Sequence, residues 1–236
     1  MKIIKKIIFF AALNTLSSVA IGQQFNAGLT AGLVASDVYG ADIVADEDAW
    51  NDTDFGKAGF MFGGIVSTSV GKKSLLQMEI NYIQKGTQQS ADDAGQGFYK
   101  YAFTYIEVPF IFKYPLHFKL GKKTVKALDI QVGISAARLI SSKAEGDDFY
   151  SEDDYSYLNR TDVSLHGGIG YNFLEHFNFS FRYSNSLIPV FESSGSPIYF
   201  AQGFNVGNNM VLHFMLQYMF GARKSYSPPV EEDITE

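Results

Sequence analysis

The sequence predicts an all-β fold, specifically an eight-stranded antiparallel up-and-down transmembrane β-barrel. Three observations lead to this prediction. The chain begins like a secretory signal peptide, and eight later segments alternate apolar and polar residues with a period of two. The connections between these segments are short and long in turn. Alternating faces and alternating loop lengths are typical of barrels that cross an outer membrane.

The N-terminus predicts export. It combines a basic start, an apolar run over residues 7–13 that is too short to span a membrane, and the small-x-small pattern Ala20-Ile21-Gly22. We therefore predict a signal peptide over 1–22 and an outer-membrane β-barrel over 23–221. Residues 222–236, which contain Ser227-Pro228-Pro229 followed by acids, are predicted to be a disordered periplasmic tail.

Composition excludes several classes of protein. The chain has no Cys, which excludes a disulfide framework and a lipid anchor through cysteine. Its formal charge of −6 argues against nucleic acid, which selects basic surfaces. With 21 Phe, 14 Tyr and 22 Gly in short alternating runs, β structure is favoured over helix.

The first half of the chain contains four predicted strands. They span 25–34, 58–70, a segment whose outer face runs from Leu76 to Tyr82, and 99–113. Long polar loops are predicted over 35–57 and 86–97, and Gly71-Lys72-Lys73 predicts a tight turn. Pro109 cannot donate a backbone hydrogen bond, so we expect a local bulge there.

The second half supplies the other four strands. Their outer faces begin at Leu128, Val163, Phe177 and Met210, and the last strand spans 209–220. A basic connection is predicted over 114–125, an acidic loop over 142–160, a short turn over 174–176 and a fourth long loop over 187–206. A soluble sandwich or lipocalin-like barrel also alternates apolar and polar residues. The membrane barrel is favoured because the short connections are basic and the long loops acidic.

The fourth segment resembles a known family. YIEVPFIFKY, containing Tyr105–Pro109 and followed by a basic turn, is similar to the signature strand of PorT-like outer-membrane β-barrel proteins of Gram-negative bacteria. FRYSNSL (181–187) and LQYMF (216–220) resemble later strands of that family, and the resemblance covers 25–221. It implies an eight-stranded barrel in the cell outer membrane with mostly unassigned functions, one branch contributing to secretion and gliding. The chain departs from the usual ending at a terminal aromatic by carrying Gly221 to Glu236 past the last predicted strand.

Charged residues on inner faces are the first candidate site. Glu79, Glu107, Asp129 and Arg182 fall on faces opposite the apolar stripe, and Arg138 lies near the external end of its strand. An eight-stranded barrel is just wide enough for side chains to fill it, so an open pore is not expected. Charges in such an interior must pair. We expect an internal salt-bridge network here, with a proton relay or catalytic acid as the alternative.

Ser164, His166 and His213 are also predicted to face inward. Nucleophilic catalysis requires a base in contact with a hydroxyl and a third group that orients the base. No third group is evident in the sequence. We therefore predict no catalytic residues and no enzymatic activity.

The long loops carry the remaining candidates. Asp46-Glu47-Asp48 and residues 51–54 are oxygen-rich, but their spacing does not match a calcium loop, so we predict no metal and no cofactor. The loop aromatics suited to contacting a partner are Trp50, Tyr150, Tyr155 and Tyr157.

Together these patterns predict a non-enzymatic, monomeric outer-membrane protein. Its expected role is that of a membrane scaffold or surface-binding module. It would be surrounded by outer-membrane lipid and would contact a protein partner through its external loops or C-terminal tail. Two alternatives remain, a narrow small-solute channel and an outer-membrane barrel enzyme.

Overall fold

The barrel closes through eight antiparallel strands, each hydrogen-bonded to the next and β8 to β1. The structure is a computed structural model that describes residues 25–40, 56–70, 74–89, 99–120, 123–146, 158–190 and 207–221. The strands are β1 (Phe25–Gly40), β2 (Lys57–Val70), β3 (Ser74–Gln89), β4 (Tyr99–Leu120), β5 (Lys123–Gly146), β6 (Thr161–Asn172), β7 (Phe177–Ser186) and β8 (Gly207–Met219). The predicted fold class is confirmed. The predicted signal peptide and tail lie outside the described residues.

The strands are strongly staggered around the barrel. Starting from Phe25 on β1, the register passes through one residue of each strand in turn and returns to β1 at Ala35. The intermediate partners are Thr68, Leu76, Phe112, Val132, Gly167, Tyr183 and Leu212. The return point lies ten residues beyond the start, since 35 − 25 = 10. This stagger tilts the strands and brings side chains from distant strands to the same depth.

The two faces of the sheet have opposite chemistry. Apolar and aromatic side chains point outward and are exposed, whereas most of the buried polar residues point into the lumen. Tyr114, Tyr171 and Tyr218 lie on the outer face towards the short-turn end, where aromatic residues favour a membrane interface. This arrangement is the inverse of that in a soluble protein, because the apolar face contacts lipid and the polar face is buried.

Several strands are longer than the sequence predicts. β1 continues to Gly40 and β3 to Gln89, and the connection predicted over 114–125 is mostly strand, because β4 ends at Leu120 and β5 begins at Lys123. Apolar alternation on the outer face ends where the lipid ends, but backbone pairing continues beyond it. The hydrophobic pattern therefore marks the membrane-crossing part of each strand and not its end.

The predicted bulge at Pro109 is wrong. Pro109 pairs with Ser135 of β5, and the register shifts of this strand pair lie at Thr104/Tyr105 and between Leu116 and Phe118. The β3–β4 register is unchanged on either side, from Met78↔Phe110 to Asn81↔Glu107. Proline has φ compatible with an extended strand, so its cost is the missing donor and not a change of register.

Gly86 marks the point where β1 and β3 approach each other beyond the start of β2. Its φ of +145° is the only positive φ among the described residues. Its carbonyl oxygen accepts a hydrogen bond of 3.0 Å from the Ser36 hydroxyl. A Cβ at Gly86 would collide with the backbone oxygen of Tyr101, so this approach requires glycine.

Candidate functional site in the barrel lumen

Arg182 of β7 crosses the lumen to form an ion pair with Glu79 of β3. Both side chains are buried, with exposures of 2% and 0%. Asn81 donates to Glu79 Oε2 at 2.8 Å, and Gln77 donates to Glu79 Oε1. The carboxylate therefore has both a counter-ion and neutral donors, which a buried charge requires.

Gln131 extends this ion pair towards the short-turn end. Its Oε1 accepts from Arg182 Nε at 2.7 Å and from the Ser180 hydroxyl at 2.8 Å, and its Nε2 donates to Asp129 Oδ1 at 2.8 Å. On the other side, Lys113 Nζ donates to Gln217 Oε1 at 2.8 Å. We call these residues the Arg182 cluster: Arg182, Glu79, Gln77, Asn81, Gln131, Asp129, Ser180, Gln217 and Lys113.

A second group of ions is centred on Lys85 of β3. Its Nζ lies 3.2 Å from Glu107 Oε1 of β4 and 3.1 Å from Asp162 Oδ2 of β6. Asp162 also accepts from the side chains of Ser164, Ser186 and Asn209. One lysine therefore faces two carboxylates. We call Lys85, Glu107, Asp162 and the polar side chains bonded to them, including Ser135 and His166, the Lys85 cluster.

The structure divides the four predicted lumen residues between these clusters. Glu79, Asp129 and Arg182 belong to one connected group, but the contacts of Glu107 are with Lys85, Ser135 and His166. The expectation that Glu107 shares a network with Arg182 is therefore corrected. Lys85 itself lies an even number of residues from Glu79, and this spacing could have revealed it. Because the loop was predicted to begin at Gly86, Lys85 was not assigned to the lumen face of the strand.

The structure brings the two histidine candidates together, but the hydrogen bond of Ser164 is to Asp162. Ser164 bonds Asp162, His213 Nε2 lies 2.8 Å from Ser184 Oγ, and His166 Nε2 lies 2.8 Å from Ser135 Oγ. The two imidazole rings face each other across the lumen with centroids 5.7 Å apart. Strands β6 and β8 are separated by β7, so this contact passes over β7 on the lumen side.

The Ser135–His166 contact has the wrong direction for nucleophilic activation. The Ser135 hydroxyl donates its hydrogen to Glu107 Oε1 at 2.7 Å. His166 Nε2 must then donate to the Ser135 oxygen, so it cannot also take the serine proton. His166 Nδ1 has no hydrogen-bond partner among the described residues, and so no group orients the ring as a triad requires.

An apolar cluster fills the lumen at the long-loop end. Leu158 and Val190, the two ends of the described segment 158–190, are buried against residues of the barrel wall. The backbone of Asn159 donates to Val190 O at 2.8 Å, and Val190 donates to Gly207 O at 2.6 Å, so both segments are connected to the start of β8. The wall residues of this loop-end cluster include Val34, Val38, Tyr101, Phe103 and Val211.

The remaining predicted sites are those of the long loops and Arg138. Trp50, Tyr150, Tyr155 and Tyr157, and both oxygen-rich loop segments, lie outside the described residues. In the parts of the chain that the structure describes, no group of three or more His, Asp or Glu side chains is arranged to hold a metal ion. No helix within those parts is long and apolar enough to cross a membrane. Arg138 is exposed on the outer face, and its guanidinium donates to Thr161 Oγ1 at 3.1 Å.

The model of one protein family, described as the outer membrane protein beta-barrel domain, matches residues 18–192. No curated protein matches the chain. Among solved structures, Ail, the attachment invasion locus protein of Yersinia pestis, in complex with the heparin analogue sucrose octasulfate, is 11% identical. That match covers 84% of this chain and 99% of Ail, with a TM-score of 0.39.

Two further solved structures match with similar sequence identity, coverage and TM-score. Neisserial surface protein A is 12% identical, with 84% of this chain and 98% of that chain covered and a TM-score of 0.39. OprG from Pseudomonas aeruginosa is 9% identical, and the match covers 85% of this chain and 96% of OprG with a TM-score of 0.31.

Proposed function

The chain belongs to the outer membrane protein β-barrel domain family, and we propose that it acts in the outer membrane as a non-enzymatic scaffold or surface-binding module. One observation carries this proposal. The ion pairs of the lumen are buried, with Lys85 and Glu79 both 0% exposed. Chemistry held inside the barrel in this way is not accessible to a substrate, which leaves the two ends of the barrel for recognition.

The loop end is the better candidate for contact with a partner. The sequence there carries Trp50, Tyr150, Tyr155 and Tyr157 among acidic residues. Aromatic side chains with a polar tip are enriched in binding surfaces, because they bury a large area at small entropic cost. Binding residues are also commonly placed on loops that a rigid scaffold holds. The tail over 222–236 offers a second attachment point on the periplasmic side.

Site-directed photo-cross-linking in intact cells tests this proposal. A photoreactive amino acid is placed at Tyr150 or Tyr155, in the tail, and, as matched controls, at Leu174 in a short turn and Ile130 on the lipid-facing surface. We expect discrete cross-linked products of defined mass from the loop or tail positions and none from the two controls. Absence of products from every loop and tail position would contradict the proposal.

A narrow channel for small solutes is the second candidate, and one observation favours it. Glu107 Oε2 and His166 Nδ1 are buried polar atoms that make no hydrogen bond within the described residues. A hydrated lumen would satisfy them, since buried polar groups are rarely left without a partner. Conductance across a planar bilayer separates the channel from the scaffold, because only the channel carries a steady current.

A further inference from the structure

The hairpin formed by β4 and β5 extends beyond the rest of the barrel at the short-turn end. At this end the β3–β4 register stops at Lys113 of β4, and the β5–β6 register stops at Leu128 of β5. β4 and β5 continue to pair with each other as far as Leu120↔Lys123. At about 3.3 Å per residue, the strand 114–120 reaches about 20 Å past its neighbours. We call the strand residues 114–120 and 123–128 the projecting hairpin.

The sequence of this hairpin is basic. Residues 114–128 contain four lysines and no acid, in a chain whose formal charge is −6. The lysines are Lys119, Lys122, Lys123 and Lys126. The nearest acid, Asp129, is 4% exposed and is hydrogen-bonded inside the lumen. The other short turns add Lys72, Lys73 and one acid, Glu175. Before the tail begins, the short-turn end therefore carries an excess of positive charge.

The C-terminal tail carries the complementary charge. It begins with a basic pair, Arg223 and Lys224, but its last six residues include four acids. These acids are Glu231, Glu232, Asp233 and Glu236. The tail leaves the barrel at the short-turn end, because Gly221 follows β8 and His176 of the β6–β7 turn bonds to Met219 O at 2.8 Å. An acidic segment is therefore tethered to the end of the barrel that carries the lysines.

The tail is long enough to reach the hairpin. β8 and β4 lie on opposite walls, four steps apart around the closed strand order. Eight strands about 4.8 Å apart and tilted by about 40° form a ring about 16 Å across. Ten residues lead from Gly221 to Glu231, since 231 − 221 = 10, and they span up to about 33 Å when extended.

Lys119 lies on the side of the hairpin at which a crossing tail would arrive. The register shift beyond Leu116 adds its extra residue to β5, so the alternation of β4 is unbroken. Lys119 therefore shares a face with Lys113, which is buried in the lumen. This face continues the lumen wall past the rim of the barrel and is directed towards the barrel axis.

We propose that the acidic segment 231–236 docks on the projecting hairpin, so that the tail crosses the periplasmic opening of the barrel. An exposed ion pair contributes little by itself, but several pairs act together when a short connection raises the effective concentration of one partner. The edge of 114–120 that faces away from β5 has no strand partner among the described residues, and an extended segment can pair with such an edge. The occupant is part of this chain, so the contact does not depend on the proposed scaffold role.

Disulfide formation between introduced cysteines tests the contact, because the chain has no Cys of its own. The test pair is Thr124→Cys/Glu232→Cys, in the purified full-length protein in phosphatidylcholine vesicles with a mild oxidant. The control pair is Leu174→Cys/Glu232→Cys, because the turn of Leu174 is bonded to the end of β8 and lies nearer to the start of the tail. Heat-modifiable gel migration verifies folding, and Ala127→Cys replaces Thr124→Cys if that variant does not fold.

We expect the test pair to cross-link about fivefold faster than the control pair. Adding Lys119→Gln/Lys123→Gln to the test pair should slow its reaction by about fivefold, as should an ionic strength of about 1 M, which screens exposed charges. Adding Lys72→Gln/Lys73→Gln, which removes the same charge from a neighbouring turn, should change the rate by less than about twofold.

Equal or slower reaction of the test pair would overturn the proposal, because a tail that does not dock reaches the nearer cysteine more often. An equal loss in the two lysine variants would also overturn it, since net charge at this end would then be sufficient. A fast reaction in phosphatidylcholine that is lost in vesicles containing phosphatidylglycerol would assign the hairpin to anionic lipid instead.

Discussion

Replacing Arg182 by alanine should strongly destabilise the barrel. Glu79 is 0% exposed and Arg182 is its ion-pair partner, so the substitution leaves a buried carboxylate without that partner. Losing one partner of a buried ion pair costs about 3–5 kcal/mol. Gln131 also loses the bond of 2.7 Å from Arg182 Nε, which places the expected loss in the upper part of this range.

The second half of this prediction concerns which acid rescues the variant. Glu79→Gln removes the unpaired charge and should recover about 2–3 kcal/mol of the loss, because a neutral amide is far less costly to bury. Glu107→Gln should recover almost nothing, since Glu107 bonds to Lys85 and Ser135. The two double variants differ only in the position of the same chemical change, so each controls for the other.

The assay is a pair of double-mutant cycles measured by urea unfolding of the refolded protein in lipid vesicles. Circular dichroism reports the loss of strand, and heat-modifiable migration reports the folded fraction. We expect a coupling energy of about 2–3 kcal/mol for Arg182 with Glu79 and below about 0.5 kcal/mol for Arg182 with Glu107. A larger coupling with Glu107 than with Glu79 would refute the division of the lumen into two clusters.

Three further predictions follow from the same structure. Lys85→Met leaves two buried carboxylates facing each other and should lower the free energy of unfolding by about 3–5 kcal/mol. Glu107→Gln leaves one lysine with one carboxylate and should lower it by less than about 1.5 kcal/mol. Equal losses of the two variants in urea unfolding would contradict this charge count. Gly86→Ala should cost about 1–3 kcal/mol because of its positive φ, while the control Gly64→Ala, where an added Cβ meets open space, should be neutral in the same assay. Ile134→Lys on the lipid-facing band should cost about 2–4 kcal/mol, against about 0–1 kcal/mol for Ile140→Lys beyond the band; a reversed order would show that the membrane boundary is misplaced.

The sequence predicts the two faces of the barrel well, for a physical reason. Lipid requires every outward residue of a crossing strand to be apolar, so a period-two pattern from Met210 to Phe220 identifies both faces of β8 without any knowledge of its neighbours. The inward positions of Glu79 and Arg182 follow from the same rule. Where the lipid ends, the rule no longer applies, and the extensions of β1 and β3 could not be predicted.

Pairing inside the lumen could not be predicted either. Arg182 meets Glu79 although the residues are 103 positions apart in sequence and lie on strands that are not adjacent. Their contact depends on the ten-residue stagger around the barrel, and alternation within single strands does not contain the stagger. The role of Lys85 was concealed for a related reason, since a lysine before a glycine is typical of a loop.

Conductance across a planar lipid bilayer tests the central claim most directly, namely that the lumen is filled by its own side chains. The Arg182 cluster, the Lys85 cluster and the loop-end apolar cluster are all buried in the interior. We therefore expect the purified protein, with insertion verified by heat-modifiable migration, to produce no steady current above that of the bare bilayer. Reproducible conductance steps from the unmodified protein would contradict the account and would favour the channel instead.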